Sequence, residues 1–149
     1  MWFEATPNAT EGRGTSWPFT VAGAPDVDGR ALAAILQRTT PRWRDYPFAP
    51  TWWKFNGTAC GGVELVAPDA AAAWARGVEL VAALRDAVGL TWDGSLFGTP
   101  GGRLLDLYAG TPKLRELLEA GASAAEVVAA FAGDAAAWED ARRPFLLYE

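Results

Sequence analysis

Apolar residues recur at helical spacing in the second half of the chain and alternate with polar residues only in short early segments. The clearest helix follows Pro68-Asp69 and ends at Gly89, a residue type favoured just beyond a helix C-terminus. It has one apolar stripe, with side chains three or four residues apart at Trp74, Val78, Val81, Leu84 and Val88.

Three further helices have start signals. Asp26 is a good N-cap, Pro112 follows Thr111 at a first helical position, and Ser123 with Glu126 matches a capping box. The predicted spans are Asp26 to about Gln37, Pro112 to Gly121 and Ser123 to about Arg142, with a short helical turn over 104–108.

The strand signals lie mostly early. Three short strands are predicted at Met1–Thr6, Phe19–Ala22 and Gly62–Val66. The aromatic stretch 43–54 is irregular, and the apolar tail 145–148 is expected to pair with a sheet edge or pack on the core. The fold class is therefore α+β: a small, mostly N-terminal β-sheet covered on one side by about four helices.

The composition and net charge restrict the classes of function that are expected for this chain. A chain of 149 residues, half of them hydrophobic, is expected to form one domain, 1–149, with most of its eight Trp in the core. A net charge of −5 argues against nucleic acid as a partner, no apolar run is long enough to span a membrane, and no secretory signal is visible. The absence of His and the single Cys60 exclude the usual nucleophile systems and most metal sites, and we expect no metal and no cofactor.

The loop from Glu11 to Thr15 is the strongest candidate for binding chemistry. It combines an acid, a guanidinium and two glycines, and a guanidinium matches a carboxylate or phosphate. The alternatives are a tight turn with a surface ion pair and an anion nest of backbone amides. A dinucleotide or P-loop fingerprint is incomplete here. A glycosidase within this chain needs two converging carboxylates, which the spacing of its acids does not establish.

The ordered motifs resemble a known family, the bacterial exo-β-N-acetylmuramidases. The likeness begins with Glu4-Ala5-Thr6 and Asn8-Ala9-Thr10-Glu11-Gly12-Arg13-Gly14-Thr15, where Pro7 is an extra residue, and continues with Pro18-Phe19. It extends through Gly23-Ala24-Pro25, Phe48-Ala49-Pro50-Thr51, Lys54, Gly57, Cys60, Gly62-Val63, Asp106-Leu107, Gly110 and Arg143-Pro144-Phe145-Leu146-Leu147-Tyr148.

The resemblance implies the smaller, lid-like auxiliary domain of a two-domain peptidoglycan hydrolase. The Rossmann-like domain with the catalytic glutamate is absent from this chain, so we expect no catalytic residue here, a partner domain of that type, and action outside the cytoplasm. The implied ligands of the muramic sugar are Glu11, Gly12, Arg13, Gly14, Thr15 and Asn8. Arg13 suits the lactyl carboxylate, and Glu11 is expected to accept sugar hydroxyls or orient Arg13.

Two other interpretations stay open. One is a free-standing carbohydrate- or peptidoglycan-binding module that stacks sugars on the candidate aromatic residues Trp17, Trp43, Trp52 and Trp53. In the absence of sugar binding, the same rings predict an apolar patch for a protein partner. The other is a truncated gene product with no independent role.

Overall fold

Three short antiparallel strands form the sheet of the computed structural model, which describes residues 2–67, 69–92 and 104–148. They are β1 (Val21–Ala24), β2 (Trp43–Asp45) and β3 (Gly61–Leu65). Their order is β1-β3-β2, with Val63 of the central strand opposite both Ala22 and Asp45.

Five α-helices in the described part of the chain complete the domain. They are α1 (Gly29–Leu36), α2 (Ala73–Val88), α3 (Leu104–Ala109), α4 (Lys113–Glu119) and α5 (Ala124–Arg142). Helix α1 packs on β2 and β3, and α2 packs on α1 and α5. The core includes Leu32, Leu36, Val63, Val78, Leu84, Leu105, Leu114 and Val127. This arrangement confirms the α+β class.

The prediction for the first strand is wrong, because Trp2–Ala5 form a 3₁₀ turn. Phe3, Glu4 and Ala5 are all buried, whereas a half-buried strand alternates. The second predicted strand lies two residues later, at Val21–Ala24, and the third is confirmed as β3 with a shift of one residue.

The helix signals were more reliable than the strand signals. The start predicted at Asp26 is wrong by two residues, since the side chain of Asp28 accepts hydrogen bonds from the amides of Arg30 and Ala31 at 3.0 and 3.1 Å. Gly89 ends α2 with φ 62°, and both halves of the Ser123 capping box are present. Pro112, predicted as the first helical residue, is instead the N-cap of α4, so this helix begins one residue later than predicted. Pro68 of the predicted start of α2 and positions 93–103 of the glycine-rich loop lie outside the described residues. Asp69, the other residue of that predicted start, caps a 3₁₀ turn over Ala70–Ala72, and α2 begins after it at Ala73.

The prediction that the tail joins the sheet or core is wrong. Val127 is buried near the start of α5, but residues 132–141 are all exposed, so the helix leads away from the core. The tail beyond it stays in solvent, with Phe145 82% and Leu147 87% exposed. The expectation that most tryptophans are buried is also wrong, because the exposed large side chains include Trp17, Trp52, Trp53, Trp74 and Trp138.

Candidate functional site

Two buried acids share one guanidinium at the start of the chain. Arg13 Nε donates to Glu11 Oε1 at 2.9 Å, and Arg13 Nη2 forms an ion pair with Glu4 Oε1. The hydroxyl of Tyr108 donates to Glu4 Oε2 at 3.1 Å. The two acids are 5% and 2% exposed, whereas the Arg13 side chain is 33% exposed and lies 4.9 Å from the centroid of the Phe19 ring. The carboxylates of the cluster are therefore buried, and part of the Arg13 side chain is accessible to solvent.

Backbone hydrogen bonds join the start of the loop to β1 and close the loop at its far end. Thr10 pairs with Gly23 of β1, its amide donating at 2.9 Å and its carbonyl accepting at 3.1 Å. At the far end the amide of Phe19 donates to the carbonyl of Glu11 at 2.7 Å. The loop that contains Arg13 thus leaves and rejoins one edge of the sheet.

Gly12 and Gly14 allow this loop to lie close to its neighbours. Both adopt left-handed backbone, with φ 78° and 85°. A Cβ on Gly12 would clash with the side chain of Val21, and one on Gly14 with the backbone of Trp52. The Gly14 carbonyl accepts hydrogen bonds from the amide and hydroxyl of Thr51 at 2.8 and 2.9 Å, which joins the loop to the aromatic stretch.

Lys54 holds the N-terminal segment in place. Its ammonium donates to the carbonyls of Phe3, Thr6 and Ala9 at 2.5, 2.6 and 3.1 Å. An ammonium has three donors, so all of them are used. Since Glu4 lies between two of these carbonyls, Lys54 fixes the backbone that presents it to Arg13.

The charges of this region balance, with Glu4 and Glu11 against Arg13 and Lys54. Burial lowers the pKa of Lys54, and the two acids only partly offset this effect. Burial also acts to lower the pKa of Arg13, but the bonds and charges of the same acids outweigh it and raise the value. Arg13 therefore acts as a permanent donor.

One cavity of about 610 Å³ lies on the sheet side of the loop. We call it the groove, and its walls include Glu11, Phe19, Trp2, Trp43 and Trp74. Glu11 Oε2 and Trp43 Nε1 are buried and have no hydrogen-bond partner among the described residues. The groove therefore combines apolar walls with residues that retain unused hydrogen-bonding capacity.

A second, shallower cavity of about 510 Å³ lies where the loop meets the aromatic stretch. We call it the cleft, and its walls include Gly14, Thr15, Trp17, Tyr46 and Trp52. None of the described residues that line it is charged. The same loop thus supplies Glu11 to the groove and Gly14 and Thr15 to the cleft.

The six predicted site residues lie in three different places in the structure. Glu11, Gly12 and Arg13 lie at the ion cluster, Gly14 and Thr15 line the cleft, and Asn8 lies elsewhere. The Asn8 amide donates to the carbonyls of Val88 and Gly89 at 3.1 and 2.8 Å, and so binds the end of α2. A contact of any of the six with a sugar stays a prediction.

Sequence reasoning assigned no role to Tyr108 and Lys54. Tyr108 is 104 positions from Glu4, and no local pattern links the two. Lys54 belongs to the motif that carried the resemblance, but a cation that binds only backbone carbonyls gives no pairing signal in the sequence.

The cluster does not have the form of a hydrolytic pair. Glycoside hydrolysis needs two carboxyl groups that flank the bond to be broken, whereas Glu4 and Glu11 hold the same guanidinium. Burial raises the pKa of Cys60, which disfavours the reactive thiolate. Within the described residues, no three His, Cys, Asp or Glu side chains are grouped to hold a metal ion. No helix among them has the length and apolar character to cross a membrane.

Comparison with known proteins matches the chain to one family. Residues 1–148 match the family model described as "Exo-beta-N-acetylmuramidase NamZ, C-terminal". The chain is 27% identical over 146 residues to the peptidoglycan β-N-acetylmuramidase NamZ of Bacillus subtilis. The match covers 95% of this chain and 34% of that protein, so the chain spans about a third of the length of this curated relative.

A solved structure supports the same relationship. The crystal structure of a DUF1343 family protein from Bacteroides fragilis superimposes with a TM-score of 0.66 at 28% identity. The superposition covers 99% of this chain and 38% of the other. The fold described above therefore corresponds to one part of a larger protein.

Proposed function

The chain belongs to the family of C-terminal domains of the exo-β-N-acetylmuramidases, and from this membership we propose that it is the substrate-binding lid of such an enzyme. It binds a terminal N-acetylmuramic acid, while a separate Rossmann-like domain performs the hydrolysis. The observation that carries the proposal is the position of Arg13, which two buried acids hold in place and which is still 33% exposed.

Arg13 has donors left for a ligand. A guanidinium has five N–H groups, and within the described residues only Nε and one Nη2 hydrogen are used. Because the nearby acids balance its charge, the attraction for a carboxylate comes from directed, charge-assisted bonds, each worth about 1.5–3 kcal/mol. The lactyl carboxylate distinguishes N-acetylmuramic acid from N-acetylglucosamine, so this contact favours the muramic sugar.

The exposed apolar surface supports a partner domain. Phe145, Leu147 and Tyr148 are each more than 80% exposed, and Trp138 on α5 is 66% exposed. Apolar surface of this kind marks interaction sites. We infer that the catalytic domain covers it.

Binding measurements test the role of Arg13. Calorimetric titration of the chain with N-acetylmuramic acid and N-acetylglucosamine is expected to show tighter binding of the first. Arg13→Lys keeps the charge but loses the planar fork, and it should weaken binding of the muramic sugar about tenfold while leaving the neutral sugar unchanged. Equal binding of both sugars by the wild-type chain would argue against the proposal.

Activity measurements test the lid role. The isolated chain should not hydrolyse an aryl glycoside of N-acetylmuramic acid, because the two buried acids bind one guanidinium and leave no general acid at the cluster. Activity should rise when the remaining, N-terminal part of the Bacillus subtilis relative is added to this chain, above that of the N-terminal part alone. Turnover by the isolated chain at the rate of the combined preparation would refute the role.

One observation favours a second function, that of a free-standing peptidoglycan-binding module. Trp17 and Trp52 are 53% and 54% exposed and line the cleft. If this function is correct, the chain binds muropeptides unaided, and adding the N-terminal part of the relative leaves both binding and activity unchanged.

A further inference from the structure

We propose that the cleft binds a neutral sugar ring, namely the residue that follows the terminal muramic sugar in the glycan. This inference rests on the proposed function and extends it to a second subsite. Arg13 takes the acidic sugar, and the cleft takes its uncharged neighbour.

The walls of the cleft suit an uncharged polyhydroxylated ligand. No charged side chain is among the residues that line it, whereas Thr15, Ser16, Tyr46 and Thr51 bring hydroxyl groups. The Thr51 hydroxyl donates its proton to the Gly14 carbonyl at 2.9 Å, which leaves its oxygen free to accept one. A cleft without charged side chains offers no ion pair to an ionised ligand.

The aromatic residues supply the stacking surface. Trp17 and Trp52 come from the two segments that meet at the cleft, and more than half of each side chain is exposed. The face of an indole ring is electron-rich, and the polarised C–H groups on one face of a pyranose ring pack against it. Burial of such large exposed rings by a sugar removes apolar area from water without displacing another part of the chain.

The backbone near the cleft is held in an uncommon conformation. Phe19, Trp53 and Phe55 have φ values of 64°, 71° and 58°, a region that bulky residues rarely occupy. Trp53 and Phe55 follow Trp52 of the cleft wall, whereas Phe19 lines the groove. Strain of this kind persists where the surrounding structure enforces it, and it is concentrated at ligand sites.

The spacing of the loop brings the two subsites within reach of one oligosaccharide. Arg13 directly precedes Gly14 and Thr15, which line the cleft. The loop is folded back on itself here, since the Thr15 amide donates to the Gly12 carbonyl at 3.1 Å. We therefore expect adjacent sugars of one glycan strand to contact Arg13 and the cleft.

The test compares a monosaccharide with a disaccharide on the whole chain. The probes are N-acetylmuramic acid and the disaccharide in which it is β-1,4-linked to N-acetylglucosamine, each titrated by calorimetry. We expect the disaccharide to bind more tightly. Trp52→Ala and Trp17→Ala should each weaken the disaccharide about tenfold and leave the monosaccharide unchanged.

Trp138→Ala is the matched control, because this side chain is 66% exposed and lines neither cavity. It should bind both probes like the wild-type chain, and circular dichroism checks that all three variants are folded. Unchanged disaccharide binding by Trp52→Ala and Trp17→Ala would overturn the second subsite. If the proposed function is wrong, we expect a different result: Arg13→Lys does not weaken the binding of N-acetylmuramic acid.

Discussion

Arg13 determines whether two buried carboxylates are paired. Without Arg13, Glu4 keeps only the hydrogen bond from Tyr108, and Glu11 keeps no side-chain partner among the described residues. Removing one member of a buried ion pair costs about 3–5 kcal/mol. Because Arg13 is partly exposed, we expect Arg13→Gln to lower the free energy of unfolding by about 3 kcal/mol.

Urea denaturation measures this change. Arg143→Gln is the control, since the side chains of Arg143 and its partner Asp140 are 72% and 75% exposed. Exposed pairs contribute about 0–1 kcal/mol, so this variant should stay close to wild type. If both variants lose the same small amount, the cluster is not a buried network.

Replacing Lys54 is expected to have a second large effect on the free energy of unfolding. Lys54→Met has a similar length but leaves three backbone carbonyls without their donor. An unsatisfied buried polar group costs about 1–3 kcal/mol, so we expect a loss of about 3 kcal/mol or more in urea denaturation. Lys113→Met is a useful comparison, since that ammonium is partly exposed and donates to one backbone carbonyl and one acid. Equal losses in the two variants would contradict the role of Lys54.

The ionisation of Tyr108 makes the free energy of unfolding depend on pH in the alkaline range. Burial, and after it the hydrogen bond to Glu4, raises the pKa of Tyr108. A tyrosine in the unfolded chain ionises near pH ~10, so above this pH the unfolded chain loses a proton that the folded chain still holds. The free energy of unfolding therefore falls as pH rises from about 10 through the raised pKa.

Lys54 acts with the opposite sign. Its lowered pKa means that, below the ordinary value near ~10.4, the folded chain releases a proton before the unfolded chain does, and stability rises with pH there. Comparing wild type with Tyr108→Phe at each pH cancels this contribution. The variant should show the smaller alkaline loss, and Tyr148→Phe, whose side chain is 87% exposed, should match wild type. Equal slopes for wild type and Tyr108→Phe would contradict the assignment.

At the scale of elements, the sequence predicted helices well because their signals are local. The capping box at Ser123 and the glycine at position 89 lie where those signals placed them. The strand predicted at Met1–Thr6 was wrong because the backbone of residues 3–9 is organised by the ammonium of Lys54, 45 or more positions away. The site was predicted in part for the same reason: Glu11 and Arg13 are two positions apart, whereas Tyr108 and Lys54 reach the cluster only through the fold.

Helix α5 is expected to have two halves with different stability. Val127 is buried and Phe131 packs edge-to-face against Trp74 with ring centroids 5.3 Å apart, but residues 132–141 are exposed. Helical segments without packing open readily. Hydrogen exchange should therefore be much faster for amides beyond Phe131 than for those between Val127 and Phe131. Uniform protection along α5 in the isolated chain would show that its second half is already covered.

At the scale of the whole molecule, the exposed tail is the surface that we expect a partner domain to contact. The ordered motifs were enough to predict the family from the sequence alone. The sequence did not show that the tail leaves the core. Phe145 and Leu147 are 82% and 87% exposed, so replacing both with Ser should change the free energy of unfolding by no more than about 0.5 kcal/mol each. The double variant should nevertheless bind the N-terminal part of the Bacillus subtilis relative less tightly, because apolar area at the interface is lost.

Two measurements on this double variant separate an interface from a core. Urea denaturation reports the stability of the isolated chain, and titration of the N-terminal part against it reports the affinity. Ala136→Ser, on the exposed second half of α5, serves as the control, since it adds a hydroxyl without removing a large apolar side chain. Weaker association with unchanged stability places the tail at the interface, because a side chain in solvent contributes only when a partner covers it. A loss of several kcal/mol in the isolated chain would instead mean that Phe145 and Leu147 pack on their own domain.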